Sequence, residues 1–301
     1  MKYFFIINPI SGHPKNPEIY EAAIRKVFHA HEGNYTIRRT QAPGHGLELA
    51  RQAASQNQTV VAVGGDGTMN EVASGLIGTK SIFGFIPKGS GCGFANEFGI
   101  PRNPKAACKL LLQGKPFAID AGKITLKSSI RYFFNIAGIG LDAKVGEAFN
   151  SNKHGQRRGL IPYIWHTFQE LRQYKAVPME ITAGSMKIEA QPMLIAIGNA
   201  KEYGMGAKIT PQAKINDGLF HVTMAKTMKP LEILWCLPKL FTGNIASCPQ
   251  VSTFTTKSLT IKLSQPCLYH LDGETFADSQ ELHFEVLPAA LNVLVPPTYR
   301  P

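Results

Sequence analysis

Three stretches hold residues whose types and spacing suit chemistry. "VAVGGDGTMNEV", from Val61 to Val72, places three glycines and one carboxylate, Asp66, directly after an apolar run. Glycines there let a backbone approach a ligand closely and take positive φ. Amides at the start of a following helix favour phosphate. Asp66 would be repelled by bare phosphate, so its position implies a cation between the two, as Mg2+ is in phosphoryl transfer. A tight strand-to-helix turn is the plainer account of the same glycines. "HLDGETF", from His270 to Phe276, offers Asp272 and Glu274 on an alternating segment that, if extended, points both carboxylates the same way. Transfer to an alcohol needs such a group to accept the hydroxyl proton. The stretch also reads as an ordinary turn. "PQAKINDGLF", from Pro211 to Phe220, contains Asn216-Asp217-Gly218, a hairpin-turn signal.

The elements that must position these residues fall into two rhythms. In the first third, strands "YFFII", "YTIRRT", "TVVAV" and "IFGFI" alternate with helices. The helix "NPEIYEAAIRKVFHAH" has Asn16 at the N-cap, Pro17 at the first position, and Ile19, Ala23, Ile24, Val27 and Phe28 on one face. "GLELARQAASQ" and "NPKAACKLLLQG" are two more, the latter closing at Gly114. Such alternation predicts a parallel sheet covered by helices on both faces. Three further strand-end loops then gather beside the glycine loop: "INPISG", the segment after Thr40, and "PKGSGCGFA". From about residue 116 the strands "FAIDAGKITL", "RYFFNIAGIG", "MLIAIGNA", "LFHVTMA", "KSLTIKL" and "ELHFEVLP" dominate. Helical segments "GLIPYIWHTFQELRQY" and "PLEILWCLPKLFTG" interrupt them. The fold class is therefore an α/β nucleotide-binding domain, residues 1–120, followed by a β-rich sandwich or barrel-like domain, residues 121–287, with a cleft between them.

Composition narrows the partners. The 301 residues carry 32 Lys plus Arg against 21 Asp plus Glu, a formal net charge of +11. That excess suits an anionic surface, and no nucleic-acid motif accompanies it. Five cysteines with no close pair point to neither a disulfide framework nor a zinc site. The opening apolar run stops at Asn8-Pro9, and no stretch approaches 18 apolar residues. A cytoplasmic protein, peripherally associated with membrane, is the expectation. "NSNKHGQRRGLIPYIWHTF" and "PLEILWCLPKLF" are the candidate contacts, with packing on the β core as the alternative for both. A homodimer is the assembly considered.

"NPISG", "GGDGTMNEV", "PKGSGCGFA", "FFNIAGIGLDA", "PQAKINDGLF" and "LDGETF", in this order and over almost the whole chain, resemble the diacylglycerol kinase catalytic-domain family, which includes bacterial lipid kinases and sphingosine kinases. The resemblance implies an ATP- and Mg2+-dependent kinase acting on a lipid hydroxyl, with the C-terminal segment, about 288–301, returning to the first domain. It implies that Asn8, Ser11, Gly12, Thr40, Gly64, Gly65, Asp66, Gly67, Thr68, Asn70, Glu71, Gly89 and Ser90 hold ATP. It places a structural metal on Lys214, Asp217 and Leu219, and the proton acceptor in the "DGE" motif, with Glu274 favoured over Asp272. The chain departs from the pattern at Cys92, where related kinases commonly carry Asn, a stronger donor and acceptor. An NAD kinase-like phosphotransferase shares the glycine loop and two-domain plan, and a non-catalytic nucleotide- or lipid-binding protein is the third reading.

Overall fold

The computed structural model describes residues 2–12, 16–31, 33–56, 58–88, 91–151, 174–277 and 279–301. The chain forms two compact units, Met1–Ala121 with Pro288–Pro301, and Gly122–Leu287.

In the first unit the apolar run Tyr3–Ile7 (β1) is buried along its whole length, as a strand covered on both faces must be. It lies between β2 (Tyr35–Arg39) and β3 (Thr59–Gly64), parallel to both. Next come β4 (Ile82–Pro87) and the C-terminal part of β16 (Glu281–Val295), through the pair Asn292 and Ile82. Helix α1 (Pro17–Val27) and helix α5 (Pro104–Gln113) cover the face lined by Tyr3, Phe5, Ile7, Val61 and Val63. Helices α2 (His45–Ala54) and α3 (Asp66–Leu76) pack together and against β3. Asn103 caps α5 by accepting the Ala106 N–H at 3.1 Å, with Pro104 at the first position, as its sequence indicates. Asn16 occupies the cap position of α1 without a side-chain hydrogen bond. Ile19, expected on the inner face, is 53% exposed, because the register of α1 buries Ala23, Ile24 and then Phe28 instead.

The second unit is a sandwich of two antiparallel sheets. One runs β12 (Val251–Thr256), β11 (Phe220–Ala225), β10 (Leu194–Gly198), β7 (Ile136–Gly140), β14 (Tyr269–Leu271), β15 (Glu274–Phe276). The other joins the first residues of β16 to β13 (Ser258–Leu263), β8 (Met179–Ala183) and β9 (Met186–Ala190). Here the end of β5 (Lys115–Thr125) pairs with β6 (Ile130–Phe133). Ile139, Ile195, Ile197 and Val222 from one sheet meet Ile181, Ile261, Leu282 and Phe284 from the other in a common core. Helix α4 (Gly93–Phe98) belongs to the first unit, and helices α6 (Leu141–Ser151) and α7 (Pro230–Thr242) to the second.

Three sequence expectations change. "RYFFNIAGIG" is two strands, broken at Phe134-Asn135, where the backbone amides turn to a side chain rather than to a neighbouring strand. The last strand does not stop at Pro288 but passes through Ala289, at φ 49°, whose N–H is caught by Asp120 at 2.8 Å. Cys236 and Cys248 are disulfide-bonded, with Cα atoms 6.1 Å apart, because α7 and the turn at Ile245–Ser247 bring together residues that their spacing of 12 does not. The helix expected over "GLIPYIWHTFQELRQY" lies outside the described residues, as does most of the basic segment leading into it.

The first unit's packing has a clear weak point. Phe28 is fully buried, with its ring edge-on to Tyr3 and Phe5 at centroid distances of 4.9 and 5.2 Å. We expect Phe28→Ala to cost about 3–5 kcal/mol in urea unfolding; a loss below about 1 kcal/mol would mean the aromatic cluster repacks.

Candidate functional site

In the first unit, four strand ends converge through a chain of hydrogen bonds. Asn8, just after β1, donates its backbone N–H to Val63 at 3.0 Å and its side-chain amide to the Thr68 hydroxyl at 3.0 Å. Its Oδ1 accepts the Ile10 N–H, and its carbonyl accepts the Ser11 hydroxyl at 3.1 Å. Thr40 donates its N–H to the Ile7 carbonyl. Glu71, on α3, accepts the N–H groups of Gly44 and Gly46 at 2.9 and 3.0 Å, which fixes the loop after β2. Its carboxylate thus holds protein backbone. Asn70 accepts the Ser74 hydroxyl at 3.2 Å. Gly89 and Ser90 lie outside the described residues.

The glycine loop has an unexpected division of labour. None of Gly64, Gly65 and Gly67 takes positive φ. A Cβ on Gly64 would sit 2.4 Å from Cβ of Thr68, so this glycine is demanded by the tight entry to α3. A Cβ on Gly65 or Gly67 would meet nothing within 4 Å. The fold does not require these two glycines, and their effect is to leave backbone uncovered at the helix start. Asp66 opens that helix, where a carboxylate is favoured by the helix dipole. The Cys92 thiol donates to Asp66 Oδ1 at 2.8 Å. Burial, and then the neighbouring Asp66, push the thiol well above its usual range, so it stays protonated and remains a donor.

In the second unit, Asp272 and Gly273 are the two central residues of the β14–β15 hairpin, at φ 49° and 88°. Positive φ at both positions is the type I′ requirement that an Asp-Gly pair meets. The expected extended alternation therefore fails: Asp272 sits in the turn and Glu274 on the strand after it. The Asp272 carboxylate accepts the amides of Phe134, Asn135 and Ile136 at 2.9, 2.8 and 3.2 Å. Those bonds cause the break between β6 and β7. Glu274 begins β15 and is exposed.

The loop carrying Lys214, Asp217 and Leu219 closes on itself. Asp217 accepts the Leu219 N–H at 3.0 Å and contacts His221 Nε2 at 2.9 Å, while the Lys214 carbonyl accepts the Asp217 N–H. Each Asp217 carboxylate oxygen thus has a protein partner within the turn. Among the described residues, no group of three or more His, Cys, Asp or Glu gathers to hold an ion.

Residues 2–124 match the family described as the diacylglycerol kinase catalytic domain, and residues 135–295 match the YegS C-terminal NAD kinase beta sandwich-like domain. The chain is 31% identical over 299 residues to a diacylglycerol kinase of Mycobacterium tuberculosis (strain ATCC 25618 / H37Rv), covering 97% of this chain and 94% of the relative. The chain belongs to the diacylglycerol kinase family. It is also 30% identical to the "Probable lipid kinase YegS-like" of Klebsiella pneumoniae (strain 342), over 87% of this chain and 86% of that one. A crystal structure of a Bacillus anthracis str. Sterne diacylglycerol kinase shares the fold, at TM-score 0.72 and 19% identity, covering 98% and 97% of the two chains. The protein is a lipid kinase.

Two sets of residues in this lipid kinase escaped the sequence reading. Lys88 is buried, donates its ammonium to the Asn8 carbonyl at 3.2 Å, lies over the Tyr20 ring, and gives its N–H to Gly64 at 2.6 Å. Burial lowers its pKa, with Glu18 opposing that and Arg39 adding to it. A lysine directly after a buried strand in a glycine-rich loop was the available signal. The second set is the buried pair Asp142 and His270 with the half-buried Tyr203. Tyr203 donates to Asp142 at 2.7 Å, and His270 Nε2 lies 3.2 Å from the same oxygen. These residues lie inside or beside quoted motifs, but only the fold joins them.

The loop analysis predicts a contrast. Gly64→Ala should cost about 1–3 kcal/mol by overpacking, whereas Gly67→Ala should be neutral or stabilise by up to about 1 kcal/mol. Thermal unfolding of both variants checks it, and equal losses would contradict the division.

Proposed function

We propose that this lipid kinase transfers the γ-phosphate of ATP to the hydroxyl of diacylglycerol, or of a sphingoid or related lipid, with Mg2+, from the cytoplasmic side as a peripheral membrane protein. The observation that carries the ATP reading is the start of α3, where a Cβ on either of two glycines would meet nothing, so that a ligand can approach the backbone of a helix N-terminus. The M. tuberculosis relative, named a diacylglycerol kinase and aligned over 97% of this chain, favours diacylglycerol as acceptor.

Asn8, Ser11, Gly12 and Thr40 border the same strand ends, and Lys88 and Glu71 hold those loops in place. Asp66 supplies a half-buried oxygen ligand of the kind that a hard cation takes. When bound, Mg2+ would neutralise charge on the phosphates. Both oxygens of Asp272 serve backbone amides, which makes it the anchor of the hairpin. Glu274, exposed on the adjoining strand, takes the proton of the acceptor hydroxyl.

Labelled transfer from ATP with Mg2+ to diacylglycerol, sphingosine, ceramide, monoacylglycerol and phosphatidylglycerol in micelles, each offered separately, tests the reading. Label on diacylglycerol is expected; label on none of them with ATP bound would overturn the acceptor class. Asp66→Asn should lower turnover by at least about a hundredfold while the fold is kept, and full activity would refute its role. Glu274→Gln should reduce kcat about 10²–10⁴-fold with ATP affinity unchanged. Asp272→Asn should instead cost about 1–3 kcal/mol of stability. A fully active Glu274→Gln variant beside an inert, stable Asp272→Asn variant would move the proton acceptor to Asp272. Excess EDTA should stop transfer yet leave Tm within about 1 °C; a larger fall would restore a structural ion at Asp217.

A further inference from the structure

Helix α7 is apolar on two sides. Ile233, Cys236 and Leu240 face the cluster formed with Ile136, Val145 and Ile209. Leu231, Leu234, Trp235 and Pro238, at i, i+3, i+4 and i+7, form a second stripe. Core packing accounts for the first but not the second, since Leu231, Leu234 and Trp235 are 79%, 51% and 54% exposed. Three large side chains side by side on one helix face mark an interaction surface rather than scattered exposure.

The charges around the stripe indicate its partner. Lys226 and Lys229 are exposed at its N-terminal end, and the Lys239 ammonium lies 3.1 Å from the centroid of the Trp235 ring. The helix's one acidic side chain, Glu232, is turned inward onto the Lys229 N–H at 2.6 Å and the Gln250 amide at 2.8 Å. The face is thus apolar and cationic. A two-fold contact with a second copy would bring these like charges together, which is costly. An anionic bilayer surface would pair them with headgroups while the leucines enter the acyl boundary and the indole sits at the interface.

We propose that the outer face of α7, through Leu231, Leu234 and Trp235 with Lys226, Lys229 and Lys239, docks this protein on an anionic lipid bilayer. The surface deepens the reading of a lipid kinase with a membrane-held acceptor, and rests on it. The neighbouring disulfide from Cys236 ties the inner side of the helix to the turn below, so the outer face is presented by a fastened element.

The test uses the full chain. With Trp165→Phe, Trp235 is the remaining one of two tryptophans. Its fluorescence should be quenched by vesicles of equal parts phosphatidylcholine and brominated phosphatidylglycerol. In co-sedimentation, Leu231→Ser with Leu234→Ser should weaken partitioning about a hundredfold. Lys226→Ala and Lys229→Ala should each weaken it about fivefold on these vesicles, and not on phosphatidylcholine alone. Turnover of a short-chain diacylglycerol dispersed as monomer should be unchanged in every variant. An unquenched Trp235, partitioning indifferent to the leucines, or a concentration-dependent dimer that the leucine variant dissolves would each overturn the surface. Quenching without phosphate on any lipid would support the surface and overturn the acceptor proposed above.

Discussion

The buried Lys88 ammonium on the Asn8 carbonyl holds the first domain's loops to one another. An ammonium taken out of water is costly unless its donors are used. Here it meets a backbone carbonyl and the face of Tyr20, while the same residue's N–H is bonded to Gly64. One residue therefore links the ends of three strands. Asn8 extends the link to Thr68 on α3, and Glu71 carries it on to the loop after β2. Amides at a helix start discriminate phosphate only if they are already aimed. A rigid frame around an open backbone meets that condition without contact from the loop's own side chains.

The second domain solves a similar problem differently. A two-residue hairpin is a weak platform for a fixed carboxylate, since short strands fray. Asp272 compensates by taking three amides from the break before β7, which attaches the turn to the centre of a sheet. His270, one residue before β14 ends, adds a buried contact to Asp142, which in turn holds Tyr203. The interruption of β6–β7 is thus a consequence of anchoring the hairpin. The amides freed from strand pairing are the ones the carboxylate uses.

Much of this was legible in the residues. Burial on both faces makes parallel strands continuous apolar runs, so "YFFII" and "TVVAV" declare themselves, and Asn103-Pro104 marks a helix start by its own chemistry. What stayed hidden depends on distance through space. The alternation of Asp272 and Glu274 suggested a shared face, but alternation holds only in extended backbone, and Asp-Gly is also the strongest local turn signal. Glu71 stands in the glycine motif, and its backbone partners are 25 and 27 residues away. The inward and outward stripes of α7 are equally apolar on paper. Only the position of the cluster formed with Ile136, Val145 and Ile209 decides which one is covered.

Cys92 shows how far a departure from a family pattern can be absorbed. An amide at this position brings both a donor and an acceptor, and a thiol looks like a poor exchange. In this structure the thiol supplies a donor toward Asp66 Oδ1, and a buried thiol beside a carboxylate is kept protonated by that setting. The donor survives, and the sulfur also accepts from the backbone N–H groups of Ala95 and Phe94. Asp66 therefore keeps a donor from this position, as an amide would supply. The exchange leaves Asp66 with that hydrogen bond and with its place at the head of α3.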